Sequence, residues 1–350
     1  LTKQFKYPGI QSCAGDGLCS TSCPMQINTG EMIHDLRAQA LPKGSAGYKV
    51  GDFAANHLSA VKSALRPVLS AAGAAHAVIG DKATDAVGRG LSKLGMPMWS
   101  SAFPLAYYPH AIKTQPSELK VVYFPSCINQ TMGKSKGQST PLIDKMVALM
   151  EKAGYEVIFP KNMKNLCCGT IWESKGVPDI ADRKAKELDD ALFEASDGGR
   201  YPVLCDQSPC LHRMRNTIKR VKLYEPVEFI YEYLAPHLRF VQTDEPVALH
   251  FTCSTRHMKL NDMFVALAGM CTTKVVVPEE VGCCGFAGDK GFTDPEVNRY
   301  ALRKLRKQLE AAGVKRGFSN SRTCEIGLTV NGGVPYQSIA YLVDECTIKK

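Results

Sequence analysis

From about residue 116 onwards the chain is written twice, and that duplication fixes what it can fold into. The first copy opens on the apolar run Val121-Val122-Tyr123-Phe124, followed by Pro125-Ser126-Cys127. The second opens on Val247-Ala248-Leu249-His250-Phe251, followed by Thr252-Cys253. Each run is short and rich in β-formers, so it reads as a buried strand delivering a cysteine at its carboxyl end. In copy one a helix follows, with Leu142, Ile143, Met146, Val147 and Met150 at helical spacing and Gly154 as its stop. Tyr155 to Phe159 is a second strand closed by Pro160, and Cys167-Cys168-Gly169 comes soon after. Copy two keeps the order: Met263 to Ala268, then Thr273 to Val277 closed by Pro278, then Cys283-Cys284-Gly285. A further helix (Ile180 to Ala195; Glu296 to Ala312) and a strand-like return to a last cysteine complete each copy. Strands alternating with helices predict a parallel α/β sheet in each unit. Sites in such sheets lie at the carboxyl ends of strands, where the repeat puts its cysteines.

Fourteen cysteines in 350 residues need a chemical explanation. Vicinal cysteines make poor disulfide partners, because their Cα atoms are too close for ordinary bridge geometry. Adjacent thiolates, joined by others from distant segments, suit a soft metal or an iron–sulfur cluster. The stretch Leu1 to Tyr7 is polar and basic and lacks an apolar signal core, so a cytoplasmic, reducing setting is expected. The apolar stretch Leu65 to Gly80 is interrupted by Arg66, Pro67, Ser70 and His76, which argues against a membrane span.

The net charge of +9 comes partly from a basic run (His212, Arg213, Arg215, Lys219, Arg220 and Lys222) and a basic helix, Arg299 to Lys307. Both read as solvated helix faces, with docking to anionic lipid on the inner face of the cell membrane, or to an acidic partner, as the alternative. No nucleic-acid partner is expected, since the basic residues are not interleaved with aromatics.

Residues 31–115 contain no cysteine. Ile33 to Leu41, His57 to Gly73 and Thr84 to Leu94 read as helices with Gly and Pro between them. The Gly44-x-x-Gly47 and Gly88-x-Gly90 pairs do not follow strands, so no nucleotide-binding fingerprint is supported, and no flavin or nicotinamide site is expected in this chain.

Near the N-terminus, Cys13-Ala-Gly-Asp16-Gly-Leu-Cys19-Ser-Thr-Ser-Cys23-Pro24 has the frame of a bacterial ferredoxin run, with Asp16 where the second cysteine belongs. Cys13 and Cys19, with or without Asp16, would hold one cluster, and Cys23 would serve another whose remaining ligands are not in this chain. Asp16 either ligates iron through a hard oxygen, leaving a labile [4Fe–4S] or a [3Fe–4S] cluster, or merely caps the turn.

The expected fold class is therefore α/β: two pseudo-symmetric CCG repeat units with parallel strands, preceded by a ferredoxin-like cluster motif and a helical segment. The divisions are 1–30 for the ferredoxin-type motif, 31–115 for the helical linker, 116–242 for the first repeat and 243–350 for the second.

The ferredoxin-like run, together with Phe124-Pro-Ser-Cys127-Ile-Asn and the Cys-Cys-Gly triplets, resembles the C-terminal iron–sulfur portion of bacterial FAD-linked D-lactate (D-2-hydroxyacid) dehydrogenases. It is similar also to the iron–sulfur component of glycolate oxidase and to the cysteine-rich component of heterodisulfide reductase. The resemblance implies that an FAD domain, with the companion ferredoxin motif, lies on another segment or a partner subunit. It implies an electron relay from flavin through iron–sulfur clusters to a quinone or cytochrome. The hydride chemistry would belong to the flavin, and no catalytic side chain is assigned here.

The resemblance also implies the ligand pattern Cys, then Cys-Cys, then Cys-x2-Cys. In copy one 39 residues separate Cys127 from Cys167 and 36 separate Cys168 from Cys205, but the final cysteine falls on Ser208, with Cys210 two further on. In copy two 29 residues separate Cys253 from Cys283, and the last pair reads Ser321-x-x-Cys324. The candidate ligands are thus Cys127, Cys167, Cys168, Cys205 and Cys210 in one unit and Cys253, Cys283, Cys284 and Cys324 in the other. Four thiolates suit a cubane [4Fe–4S] cluster or a structural zinc, so zinc remains the alternative in each repeat. Two rival functions follow, a heterodisulfide reductase-like thiol oxidoreductase and a zinc-stabilised partner-binding scaffold. Cys271 and Cys346 fall outside the pattern. Trp172, Lys175, Gly176, Phe286, Asp289, Lys290, Arg256 and His257 flank the cysteines as neighbours able to tune a cluster or as ordinary surface groups.

Overall fold

The computed structural model describes residues 2–94 and 97–350. Leu1, part of the stretch read above as lacking a signal core, lies outside the described residues. Two parallel four-stranded sheets carry the duplicated region. In the first, β1 (Lys120–Phe124) is flanked by β2 (Glu156–Ile158) and β3 (Val203–Cys205), with β4 (Leu223–Tyr224) beyond β3. A short strand, β5 (Leu238–Phe240), follows. In the second sheet β6 (Val247–Leu249) lies between β7 (Val275–Val276) and β8 (Arg316–Phe318), with β9 (Tyr336–Gln337) at the edge. The orders 2-1-3-4 and 7-6-8-9 are the same topology, so the sequence repeat is a structural repeat. The last strand, β10 (Thr347–Lys349), pairs antiparallel with β5 and so ties the end of the second unit to the end of the first.

Alternation along the strands divides the core. Val121 and Tyr123 of β1, Leu204 of β3, and Val247 and Leu249 of β6 enter one cluster shared by both units, with the helices Leu142–Lys152, Asn261–Cys271 and Ile339–Glu345. The opposite faces are private. Val122, Phe124, Val203 and Cys205 pack with Cys167, Cys168 and Cys210 beneath the helix Pro178–Ala195, while Ala248 packs with Cys284 and Cys324. Because successive residues of a strand point to opposite faces, one strand serves both the joint core and its own cysteine face.

Between the units runs a buried polar seam. Arg322 is fully buried and donates to Asn129 Oδ1 (2.9 Å), Gly133 O (3.1 Å), Ser135 Oγ and Glu325 Oε2 (2.8 Å). Ser208 N–H donates to Asn320 O (3.0 Å), and Gln207 Nε2 donates to Ser321 Oγ (3.1 Å).

Three expectations are corrected. The helices in the cysteine-free stretch are Thr29–Ala40, Ala46–Asn56 and one long helix, Leu58–Lys93, which runs through Pro67 and Gly73 and kinks at Gly80. Ala71, Ala72, Ala74, Ala75 and Ala77 have the highest helix propensity of any residue and carry the helix past both breakers. The single helix expected over Glu296 to Ala312 is two, Pro295–Ala301 and Leu305–Ala311, an offset that brings Leu302, Leu305 and Leu309 inward together. Third, the run after Cys210 is a solvated face only at Lys219, Arg220 and Lys222. Arg213 is buried and pairs with Glu173 and Asp182, while Arg215 pairs with Glu228 and Arg220 with Asp189 and Asp190.

Among the described residues no helix is long and apolar enough to cross a membrane.

Candidate metal centres

Each Cys-Cys-Gly triplet is built the same way. The glycine takes a left-handed backbone, φ 88° at Gly169 and 71° at Gly285, and turns the chain into the next segment. A Cβ on Gly169 would stand 2.4 Å from the carbonyl oxygen of Ala181, and one on Gly285 would stand 2.9 Å from that of Val297. Only glycine meets both demands, the positive φ and the close approach. In consequence the two preceding cysteines are held against the carboxyl end of their sheet.

The thiols meet in two matching series. In the first unit Cys127 contacts Cys167, Cys167 contacts Cys168, and Cys168 contacts Cys210. In the second, Cys253 contacts Cys283, Cys283 contacts Cys284, and Cys284 lies 2.9 Å from Cys324, sulfur to sulfur. Cys210 and Cys324 occupy equivalent places, the third residue after the caps Gln207 and Ser321 of the helices Ser208–Thr217 and Arg322–Gly332. The Cys-x2-Cys alignment, which matched Ser208 to Cys324, is therefore corrected. The helix caps set the pairing two places away from the linear count, and Ser208 is committed instead to Glu225 Oε1 (2.7 Å). Cys205 ends β3 outside the series, its thiol 3.9 Å from Gln207 O, and burial pushes that thiol well up.

Thiols in mutual contact share protons. The thiols of Cys167 and Cys210 hold Cys168 well below the ordinary range. Cys127 is lowered as well, chiefly by Cys167 and also by Lys62. Backbone N–H groups point at the sulfurs: Gly169 to Cys167 (3.5 Å), Gly285 to Cys283 (3.3 Å) and Phe286 to Cys284 (3.4 Å). Among the described residues no three His, Cys, Asp or Glu side chains stand arranged around a single ion. The donor set, all sulfur, with N–H donors and little water, fits an iron–sulfur cluster or zinc.

Each triplet also has an anchor on its second carbonyl. Arg213 Nε donates to Cys168 O at 3.0 Å, and Asn298 Nδ2 donates to Cys284 O at 2.6 Å. His250, buried at the end of β6, spans Gly282 O (3.1 Å) and Ser319 Oγ (3.3 Å), and burial lowers its pKa to about 4, so it is neutral. None of these anchors carries a sequence signature. Of the flanking residues named earlier, Trp172 donates to Gly51 O (3.0 Å), Phe286 is core, Arg256 holds Val281 O (3.1 Å), and Lys175 pairs with Asp289 across the two units (2.5 Å).

The N-terminal motif packs onto both triplets. Arg37, buried on the helix Thr29–Ala40, donates to Ile10 O (2.8 Å), Cys13 O (2.7 Å) and Ser174 O (2.9 Å), and Ser174 follows the first triplet. His257 Nε2 lies 2.6 Å from Asp16 O, so that nitrogen carries the proton. The Asp16 carboxylate accepts from Leu18 N–H (3.2 Å), the capping role, and its charge bears on Cys253 and Cys283. Cys13, Cys19 and Cys23 are not drawn into a series. Cys13 accepts from Gly15 N–H (3.3 Å), and exposed Cys19 accepts from the Thr29 hydroxyl (3.1 Å), which lowers its pKa. Cys271 and Cys346 are buried in the shared core, away from these sites.

Comparison with known proteins finds the cysteine-rich repeat twice. A family model described as a cysteine-rich domain, CCG, matches residues 121–214 and 247–329, about half of the chain. "Lactate utilization protein A 1" of Bacillus mycoides (strain KBAB4) is 22% identical over 248 residues, covering 65% of this chain and 97% of that protein. Among solved structures, an aspartate racemase of Picrophilus torridus is 8% identical at a TM-score of 0.29, covering 66% of this chain and 95% of that one. An Asp/Glu racemase of Yersinia pestis is 12% identical at a TM-score of 0.30, with coverage of 65% and 96%. Those two likenesses are too low to bear on function.

Proposed function

The chain belongs to the cysteine-rich CCG domain family, and from that premise we propose that it is an electron-transfer protein of hydroxyacid oxidation, with iron–sulfur clusters on its thiols. The observation that carries the proposal is the duplicated series, Cys127/Cys167/Cys168/Cys210 and Cys253/Cys283/Cys284/Cys324, each at the carboxyl end of a parallel sheet. Lactate is the favoured fuel, because a lactate utilization protein matches along nearly its whole length. We assign the D-hydroxyacid and an FAD-bearing dehydrogenase from the motif resemblance, with a quinone or cytochrome as final acceptor.

A bound iron–sulfur cluster supplies reversible one-electron capacity and no proton chemistry of its own. The residues of this chain do the rest. The thiolates would hold the iron, and the N–H groups of Gly169, Gly285 and Phe286 would stabilise the sulfur charge. Arg213 and Asn298 fix the triplet backbones, while Arg37, His257 and the Lys175–Asp289 pair keep the N-terminal motif and the two triplets together. Cys13, Cys19 and Cys23, with Asp16 at the turn, would form the entry point for electrons from the flavoprotein. Cys205 is the least needed of the candidate ligands.

The test is anaerobic mixing of the iron-loaded chain with D-lactate and a flavin-containing lactate dehydrogenase. Bleaching of the visible iron–sulfur absorbance on adding lactate supports the relay. An unbleached spectrum, with the same chain reducible by dithionite, would overturn it.

A further inference from the structure

The long helix Leu58–Lys93 places one lysine where a lysine is costly. Lys62 is 3% exposed, and its ammonium donates to the neutral Gln130 Oε1 at 2.7 Å. Gln130 in turn donates to Pro125 O at 2.7 Å, so the lysine is built into the loop carrying Cys127. Among the described residues no carboxylate forms an ion pair with Lys62; burial pushes its ammonium down to about 8, and the acidic groups that act against this are the thiols of Cys127 and Cys167. Two other cations are felt there: Lys184, which pairs with Glu187, and Arg66, which donates to the backbone carbonyl of Gln130 itself (3.0 Å). A buried ammonium survives only beside negative charge. The second unit is opposite in sign: the charged group bearing on both Cys253 and Cys283 is the Asp16 carboxylate.

We propose that Lys62 is the built-in countercharge of the first cysteine site, and that it sets a cluster held there at a higher reduction potential than one held by the second. The proposal rests on the iron–sulfur reading above. A thiolate-ligated cluster becomes more negative by one charge when an electron arrives. A fixed cation therefore favours the reduced form, and a fixed anion the oxidised form. Electrons arriving from the N-terminal motif would collect at the first site.

The test is an EPR-monitored redox titration of the full chain, with iron and sulfide measured on the same samples. Lys62→Met should keep its iron. Its first centre should be reduced about tenfold less at a given poise, a midpoint lower by about 59 mV for a one-electron couple, while the second centre stays unmoved. Lys62→Arg should stay near the parent. Gln130→Glu leaves the lysine packed but pairs its charge, and should shift the midpoint in the same direction, which covers the case where Lys62→Met does not fold. An iron-loaded Lys62→Met or Gln130→Glu with the parent midpoint overturns this inference alone. Parent protein without iron overturns the iron–sulfur reading and this inference with it.

Discussion

At the scale of single residues, Cys205 and Cys210 separate two ways of counting ligands. Linear spacing puts Cys205 first, whereas the helix cap Gln207 places Cys210 in the position of Cys324. Cys210→Ser should therefore lose metal from the first unit, while Cys205→Ser keeps it; metal analysis of both variants checks this, and the reverse result would restore the linear count. Cys168→Ser and Cys284→Ser should each destabilise their own unit far more than Cys271→Ser destabilises either, because ligand binding is folding free energy. Gly169→Ala forces both a disfavoured φ and a clash with Ala181 O. A destabilisation of about 1–3 kcal/mol is expected, with loss of metal from the first unit before the second. The triplets were legible in the sequence because adjacent thiols have few other uses. Lys62, Arg213 and Arg322 were not. Whether a charged side chain is buried depends on partners far away in the chain, here Gln130, Glu173 with Asp182, and Asn129 with Ser135. One signal existed for Lys62: it falls in step with the buried residues Leu58 and Leu69 on one helix face.

At the scale of elements, the units are held together by groups that titrate. Glu225 caps the helix Pro226–Phe229 through Val227 N–H (2.6 Å) and accepts from Ser208 Oγ (2.7 Å) and from Asn320 Nδ2 (2.8 Å) of the other unit. Burial pushes its carboxyl up from 4.5 to about 7. Between those two values the folded chain keeps a proton that the unfolded chain has lost. The stabilisation is therefore complete below pH 4.5 and is lost as pH rises through about 7, on the order of 3 kcal/mol. Urea unfolding midpoints of Glu225→Gln should lack that decline, so the gap between variant and parent changes across this window; parallel pH profiles would contradict it. The order of strands and helices was readable from apolar periodicity, since short β-rich runs and the Leu142 to Met150 pattern have one sensible reading. The continuity of Leu58–Lys93 was not, because Pro67 and Gly73 weigh as breakers locally while the surrounding alanines decide the outcome.

At the scale of the molecule, two copies of one α/β unit share a core, and their cysteine ends face the N-terminal motif through Arg37, His257 and the Lys175–Asp289 pair. The duplication was visible as a repeat, but the docking was not, because Arg37 and His257 make it through backbone carbonyls that any sequence supplies and the Lys175–Asp289 pair joins residues 114 apart. On the proposed relay the docking would give electrons one short surface to cross, with four thiols in series in each unit beside it. The most direct test of that account is elemental analysis of the anaerobically purified chain. A brown protein with iron and acid-labile sulfide in near-equal amounts is the result predicted; a colourless protein with stoichiometric zinc and no sulfide would contradict it.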